Sequence, residues 1–189
     1  MNINKWLLYN LTAMTVVFVF GAANVSIEQH TPFFHNLLDL PTGARLGMLL
    51  LFGVVCFPGT LLGSLLNGVA FLEPGEGFAF EMVEESAEAF SALVALLMMQ
   101  HFKLSNFYTS QNFYYPHVLF LCFLTAFITA TARLITLVQF GEIEENFNFS
   151  SYIGSILIGD LLGTILFFSL SIFLMQALNH YFEQQSSTD

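Results

Sequence analysis

Four stretches of the chain, Trp6 to Asn24, Phe78 to Phe102, His117 to Phe140 and Tyr152 to Leu178, are each apolar enough and long enough to cross a membrane as helices. A hydrocarbon core of ~30 Å requires about 20 helical residues. Backbone in lipid must satisfy its own hydrogen bonds, so stretches of this kind form helices. Only 10% of the 189 residues are charged and 56% are hydrophobic, too few charges to clothe a water-soluble surface. The expected fold is all-α: a polytopic transmembrane helical bundle forming a single domain over residues 1–180, with a short polar cytoplasmic tail at 181–189.

A fifth apolar stretch, Ala44 to Leu72, contains Phe57-Pro58-Gly59, a sequence that interrupts a helix and supplies a turn. Whether it crosses once or twice is decided by charge, because loops carrying Lys and Arg stay on the cytoplasmic side. Two crossings place Lys5 and Lys103 inside, with Glu28, Asp39, Glu73, Glu76, Glu142, Glu144 and Glu145 outside. One crossing would move Lys103 outside and the acidic loop at 141–149 inside. The charge pattern therefore predicts about six membrane segments, the second and third short and turning at Pro58, and both termini cytoplasmic. Trp6 to Ala23 is long enough to span, so it is read as a retained helix and not as a signal peptide.

Several function classes are excluded. Fourteen acids against four bases leave no cationic stripe for nucleic acid and no polybasic patch for anionic lipid. Cys56 and Cys122 sit inside apolar stretches without metal spacing and read as small buried hydrophobes. His30 and His35 share a loop with Glu28 and Asp39, but their irregular spacing suits solvated side chains better than metal ligands. Gly47, Gly53, Gly59, Gly63 and Gly68 point to close helix packing. No nucleophile with a base, phosphate loop or haem ligand pair is present, so neither an enzyme nor a cofactor is expected.

The strongest chemical signal is acid where lipid should be. Glu81, Glu84, Glu85 and Glu88 follow the three-to-four residue spacing that places side chains on one helical face. They descend from ~4 to ~15 Å below the outer start of their helix. Arg133 and Asp160 fall at ~9 and ~12 Å in theirs, and Asn67 and Arg45 reach the same outer half. Isolated ions at such depth are costly, so these groups should converge. Five acids against two bases leave an excess that must be protonated, hydrated or neutralised from outside the chain. One reading is an outward-facing cavity for a cation, a proton or a small cationic ligand, built from Glu81, Glu84, Glu85, Glu88, Arg133, Asp160 and Asn67. The other is that Arg133 pairs with Glu85 or Asp160 merely to hold the bundle together.

Pro41-Thr42-Gly43 opening an apolar helix, followed by Gly53, Pro58, Leu62-Gly63 and Asn67, resembles the start of the membrane-associated sensor domain of type one, MASE. Glu85 and Ile158-Gly159-Asp160-Leu161-Leu162-Gly163 are similar to later motifs of that family. The sequence departs from the family in lacking a Trp before Pro41, in carrying Arg133, and in having Phe168-Ser169 where a Pro is usual. The resemblance implies a sensor in the bacterial inner membrane with a cytoplasmic C-terminus. With no output domain in this sequence, the expectation is a stand-alone sensory or regulatory module, surrounded by membrane lipid, that signals through a partner membrane or signalling protein. A small transporter or substrate-binding transport subunit for a cationic solute is the second expectation, and a structural subunit of a membrane complex the third.

Overall fold

The structure, a computed structural model, describes residues 2–30, 38–72, 77–104, 115–141 and 148–186. His35, Glu73, Glu76, Glu142, Glu144, Glu145 and the last three residues of the tail lie outside the described residues. Within them the chain forms helices and no strands: α1 (Ile3–His30), α2 (Leu40–Phe52), α3 (Phe57–Ala70), α4 (Phe78–His101), α5 (Tyr115–Phe140) and α6 (Phe149–Ser186). By length and composition α1, α5 and α6 can each cross a membrane. Phe78–Phe102, expected from hydropathy to be an equally plain span, is long enough as the 24-residue α4, but its N-terminal half carries the four glutamates. It is tolerable in a membrane only because that half faces other helices. The chain is a multi-pass membrane protein.

The stretch around Pro58 does divide into two helices, and the reversal lies just before the proline. α2 ends at Gly53, whose φ of 78° is readily adopted by glycine and whose N–H bonds to Leu49 O at 3.0 Å. A 3-10 turn, Val54–Cys56, follows, and Pro58 sits in the first turn of α3, where its missing N–H costs nothing. At its other end α2 starts at Leu40, before the apolar stretch proper. Asp39 caps it, Oδ1 accepting the Thr42 N–H at 3.1 Å, and Pro41 occupies the first turn.

Contacts along each helix give its direction. α2 runs antiparallel to α1: Tyr9 stacks on Phe52 at one end (4.8 Å), and Asn24 Oδ1 accepts the Leu40 N–H at the other (3.2 Å). α3 returns parallel to α1, with Gly59 against Asn10, Gly63 against Met14, and Asn67 against Val17 and Gly21. α4 descends against α3, and α5 rises against α4 with Phe80 meeting Phe140 at 5.6 Å. α6 then runs parallel to α2, where Gly43 and Gly47 receive Thr164 and Phe167. The outer helices follow the order α1, α3, α4, α5, α6, with α2 packed against α1, α6 and α4.

The position of α2 explains its composition. Every residue from Leu40 to Leu50 is buried, whereas the outer helices leave Leu62, Leu66, Phe123, Phe127, Ile158 and Leu162 exposed for lipid. A 13-residue helix is only ~20 Å long. That is too short to span, but a helix sheathed by protein is not required to reach both interfaces. Beneath its polar start, Leu46, Leu49, Leu96, Met99 and Leu121 close the core without exposed surface.

The α1–α3 contact is close enough to test directly. A β-carbon at Gly59 would collide with the Asn10 backbone, and one at Gly63 would press on the Met14 carbonyl, whereas one at Gly154 would meet nothing within 4 Å. Gly59→Ala is expected to destabilise the protein by about 1–3 kcal/mol through overpacking, and Gly154→Ala to leave it unchanged or slightly more stable. Thermal unfolding in detergent micelles checks both.

Candidate functional site

At the polar end of α2, Arg45 is 1% exposed and has each of its three nitrogens engaged. Nε donates to Ser64 Oγ of α3 (2.7 Å), Nη1 to Glu88 Oε2 (2.5 Å) and Nη2 to Glu85 Oε2 (2.7 Å), both of α4. A guanidinium suits this position because its rigid planar fork reaches three partners at once without surrendering its charge. Glu88, 5% exposed, is shared. Its other oxygen, Oε1, accepts from Arg133 of α5, from Nε at 2.6 Å and also from Nη2. Arg133 further approaches Glu84 (3.2 Å) and Asp39 (3.9 Å). A chain of charges thus runs from α2 through α4 to α5.

Above this chain lies a cavity of about 380 Å³ lined by all six helices. Its walls carry seven carboxyl side chains, Glu28, Asp39, Glu81, Glu84, Glu85, Glu88 and Asp160, against two guanidiniums, Arg45 and Arg133. Gly21, Asn24, Asn67, Phe71, Tyr152 and Ser155 complete much of the lining. Asp39 precedes α2: burial by itself would push its carboxyl up, but Arg45 and Arg133, with the Thr42 N–H, hold it below the usual carboxylate range. Among the described residues no three His, Cys, Asp or Glu side chains converge as ligands of a metal ion would.

Two buried acceptors in the lining have no hydrogen-bond donor. Asn67 donates from Nδ2 to the Val17 carbonyl at 3.2 Å, and a β-carbon at Gly21 would collide with this amide. Its Oδ1 is unpartnered. Asp160, on the far wall, accepts from Thr42 Oγ1 through Oδ1 at 3.4 Å, leaving Oδ2 without a donor. The two residues are 5% and 2% exposed.

All seven residues singled out from sequence, Glu81, Glu84, Glu85, Glu88, Arg133, Asp160 and Asn67, line this one cavity. Arg133 does contact the acidic stripe of α4, the pairing that its depth predicts, but not through the residues of the narrower alternative. Arg133 meets Glu88, Glu84 and Asp39, not Glu85 or Asp160, because Arg45 already holds Glu85. Sequence reasoning placed Arg45 near the site without giving it a role, and left Asp39 and Glu28 in a solvated loop. The signal for Asp39 was its position two residues before Pro41, where a helix cap belongs. Of the two loop histidines, His30 is within the described residues, and its ring nitrogen bonds to Ser26 O of its own helix at 2.8 Å.

Removing the shared carboxylate should be far more damaging than removing a peripheral one. Glu88→Ala takes the shared carboxylate from the buried Arg45 and the partly buried Arg133 and is expected to cost about 3–5 kcal/mol, against less than about 1 kcal/mol for Glu81→Gln. In double-mutant cycles Arg133→Leu should couple to Glu88→Leu by about 1–3 kcal/mol and more weakly to Glu81→Leu. Absence of coupling at Glu88 would refute the shared-carboxylate geometry.

Comparison with known proteins adds one match. A family model, MASE1, aligns with residues 6–188, nearly the whole chain. No curated protein and no solved structure matches significantly.

Proposed function

The chain belongs to the MASE1 family of membrane-associated sensory domains, and we propose that the acidic cavity is its sensing site. In this reading a cation or a proton occupies the cavity, shifts the packing of the helices that line it, and so alters contact with a partner protein. The observation that carries the proposal is that every helix contributes to one cavity with a carboxylate excess, and that one of them, α6, runs unbroken from Asp160 to Ser186. Ionisable groups gathered inside a membrane protein are functional by default. Occupancy acts by binding one helix arrangement better than another.

Transport is the weaker reading. Beneath Arg45 and Glu88, which line the cavity, the layer of Leu46, Leu49, Leu96 and Met99 is closely packed and has no exposed surface. That packing favours a blind pocket over a path.

The proposed orientation sets the cavity on the outer side of the bacterial inner membrane, with both termini in the cytoplasm. Lys5 at the start of α1 and Lys103 after α4 fall at the same end of the bundle, opposite the acidic mouth, as the positive-inside rule requires. Reporter fusions after Thr109 and at the C-terminus should both read cytoplasmic, and an external signal from either reverses the assignment. For the sensing site itself, purified protein at constant ionic strength should show thermal stability that depends on added cation or on pH. Glu85→Gln and Asp160→Asn should stay folded and lose that dependence. If both variants respond as the parent does, the cavity is not the sensor.

A further inference from the structure

We infer that the cavity accepts an organic primary ammonium group, held between Asn67 Oδ1 on α3 and Asp160 Oδ2 on α6, in preference to a metal ion. The inference deepens the reading of the cavity as the sensing site and rests on it.

Donor and acceptor chemistry in the cavity is lopsided. Both guanidiniums are directed at carboxylates, so the lining's strongest donors are committed. Asn67 commits one amide N–H to the Val17 carbonyl, and its Oδ1 has no donor. It presents an oxygen. Asp160 presents a second. Buried acceptors without donors are rare in native proteins, and each calls for a partner.

Size and arrangement then choose among donors. A cavity of about 380 Å³ is roughly ten times the ~30 Å³ that one water occupies in the liquid, and lies in the range of small-molecule sites. A bare metal ion would leave most of it empty and would need at least three converging ligands, which the described residues lack. An ammonium group carries three N–H donors on a compact charge. Its charge answers the carboxylate excess and its hydrogens answer the two free oxygens. A carbon chain fills the remaining space beside Phe71 and Gly21. The same group is available from a free aliphatic amine or from the headgroup of phosphatidylethanolamine.

The test uses the full chain in phosphatidylcholine nanodiscs at fixed ionic strength, titrated with 1-aminobutane hydrochloride, tetramethylammonium chloride or magnesium chloride. Binding is read by calorimetry and by thermal shift. Protonated 1-aminobutane should raise Tm and bind at least about tenfold tighter than tetramethylammonium, which has the same single charge but no N–H donor. Asp160→Asn and Asn67→Ala should each abolish the preference. Because the probe series on the parent already decides the question, a variant that fails to fold leaves the test intact. Nanodiscs containing phosphatidylethanolamine that raise Tm and weaken 1-aminobutane binding locate the ammonium in the lipid headgroup and support the inference. Equal binding of tetramethylammonium, or tighter binding of magnesium, overturns the ammonium assignment while leaving a cation-sensing cavity in place. Failure of all three probes to bind overturns the ammonium assignment, leaves the two oxygens to water and leaves the proton as the one occupant for the cavity that the pH measurement still tests.

Discussion

Arg45 sits where a charge is hardest to keep, on the most enclosed helix of a membrane protein, and the arrangement of its neighbours follows from keeping it paired. Its partners come from α3 and α4, and through Glu88 it is tied to Arg133 of α5. Desolvation makes such a cluster weak evidence for stability in itself, but loss of one member leaves the others uncompensated. The cluster therefore acts chiefly on specificity. Moving α4 away from α2 would part Arg45 from Glu85 and Glu88 together, so the cluster fixes which helices are neighbours.

Glycine does the complementary work in the apolar part. Parallel neighbours such as α1 with α3, and α2 with α6, cannot be joined by a tight turn, so each pair depends on side surfaces that fit. At Gly59, Gly63, Gly43 and Gly47 the opposing helix comes so near that a β-carbon would overlap it. In lipid, where apolar burial supplies little drive for helix association, such close approach is a main source of packing energy. Polar contacts set which helices are neighbours and small residues set the distance.

Much of this was legible in the sequence, and the limits have physical causes. Hydropathy marked the helices because lipid demands length and apolarity, and the three-to-four spacing of Glu81, Glu84, Glu85 and Glu88 marked an inward face because lipid would reject it. The depth argument brought Arg133, Asp160 and Asn67 to the same level, and they do line one cavity. What escaped was the identity of the central helix. Lipid and protein interior are equally apolar, so nothing in Leu46 to Leu50 separates a sheathed helix from a lipid-facing one. With α2 unplaced, Arg45 had no assigned partners and took second place to Arg133. The turn was drawn to Pro58 because proline is the louder signal, whereas Gly53 supplies the backbone conformation that ends the helix.

The unbroken course of α6 has a mechanical corollary. The farther of the two glycine contacts of α2 on α6, Gly47 with Phe167, lies seven residues from Asp160 and 19 from Ser186, or ~10 Å and ~28 Å along the axis at 1.5 Å per residue. With that contact as fulcrum the rod has unequal arms. A sideways displacement of about 1 Å at Asp160 emerges as ~3 Å at Ser186, so a rearrangement no larger than the exchange of one hydrogen-bond partner is magnified on the opposite face of the membrane.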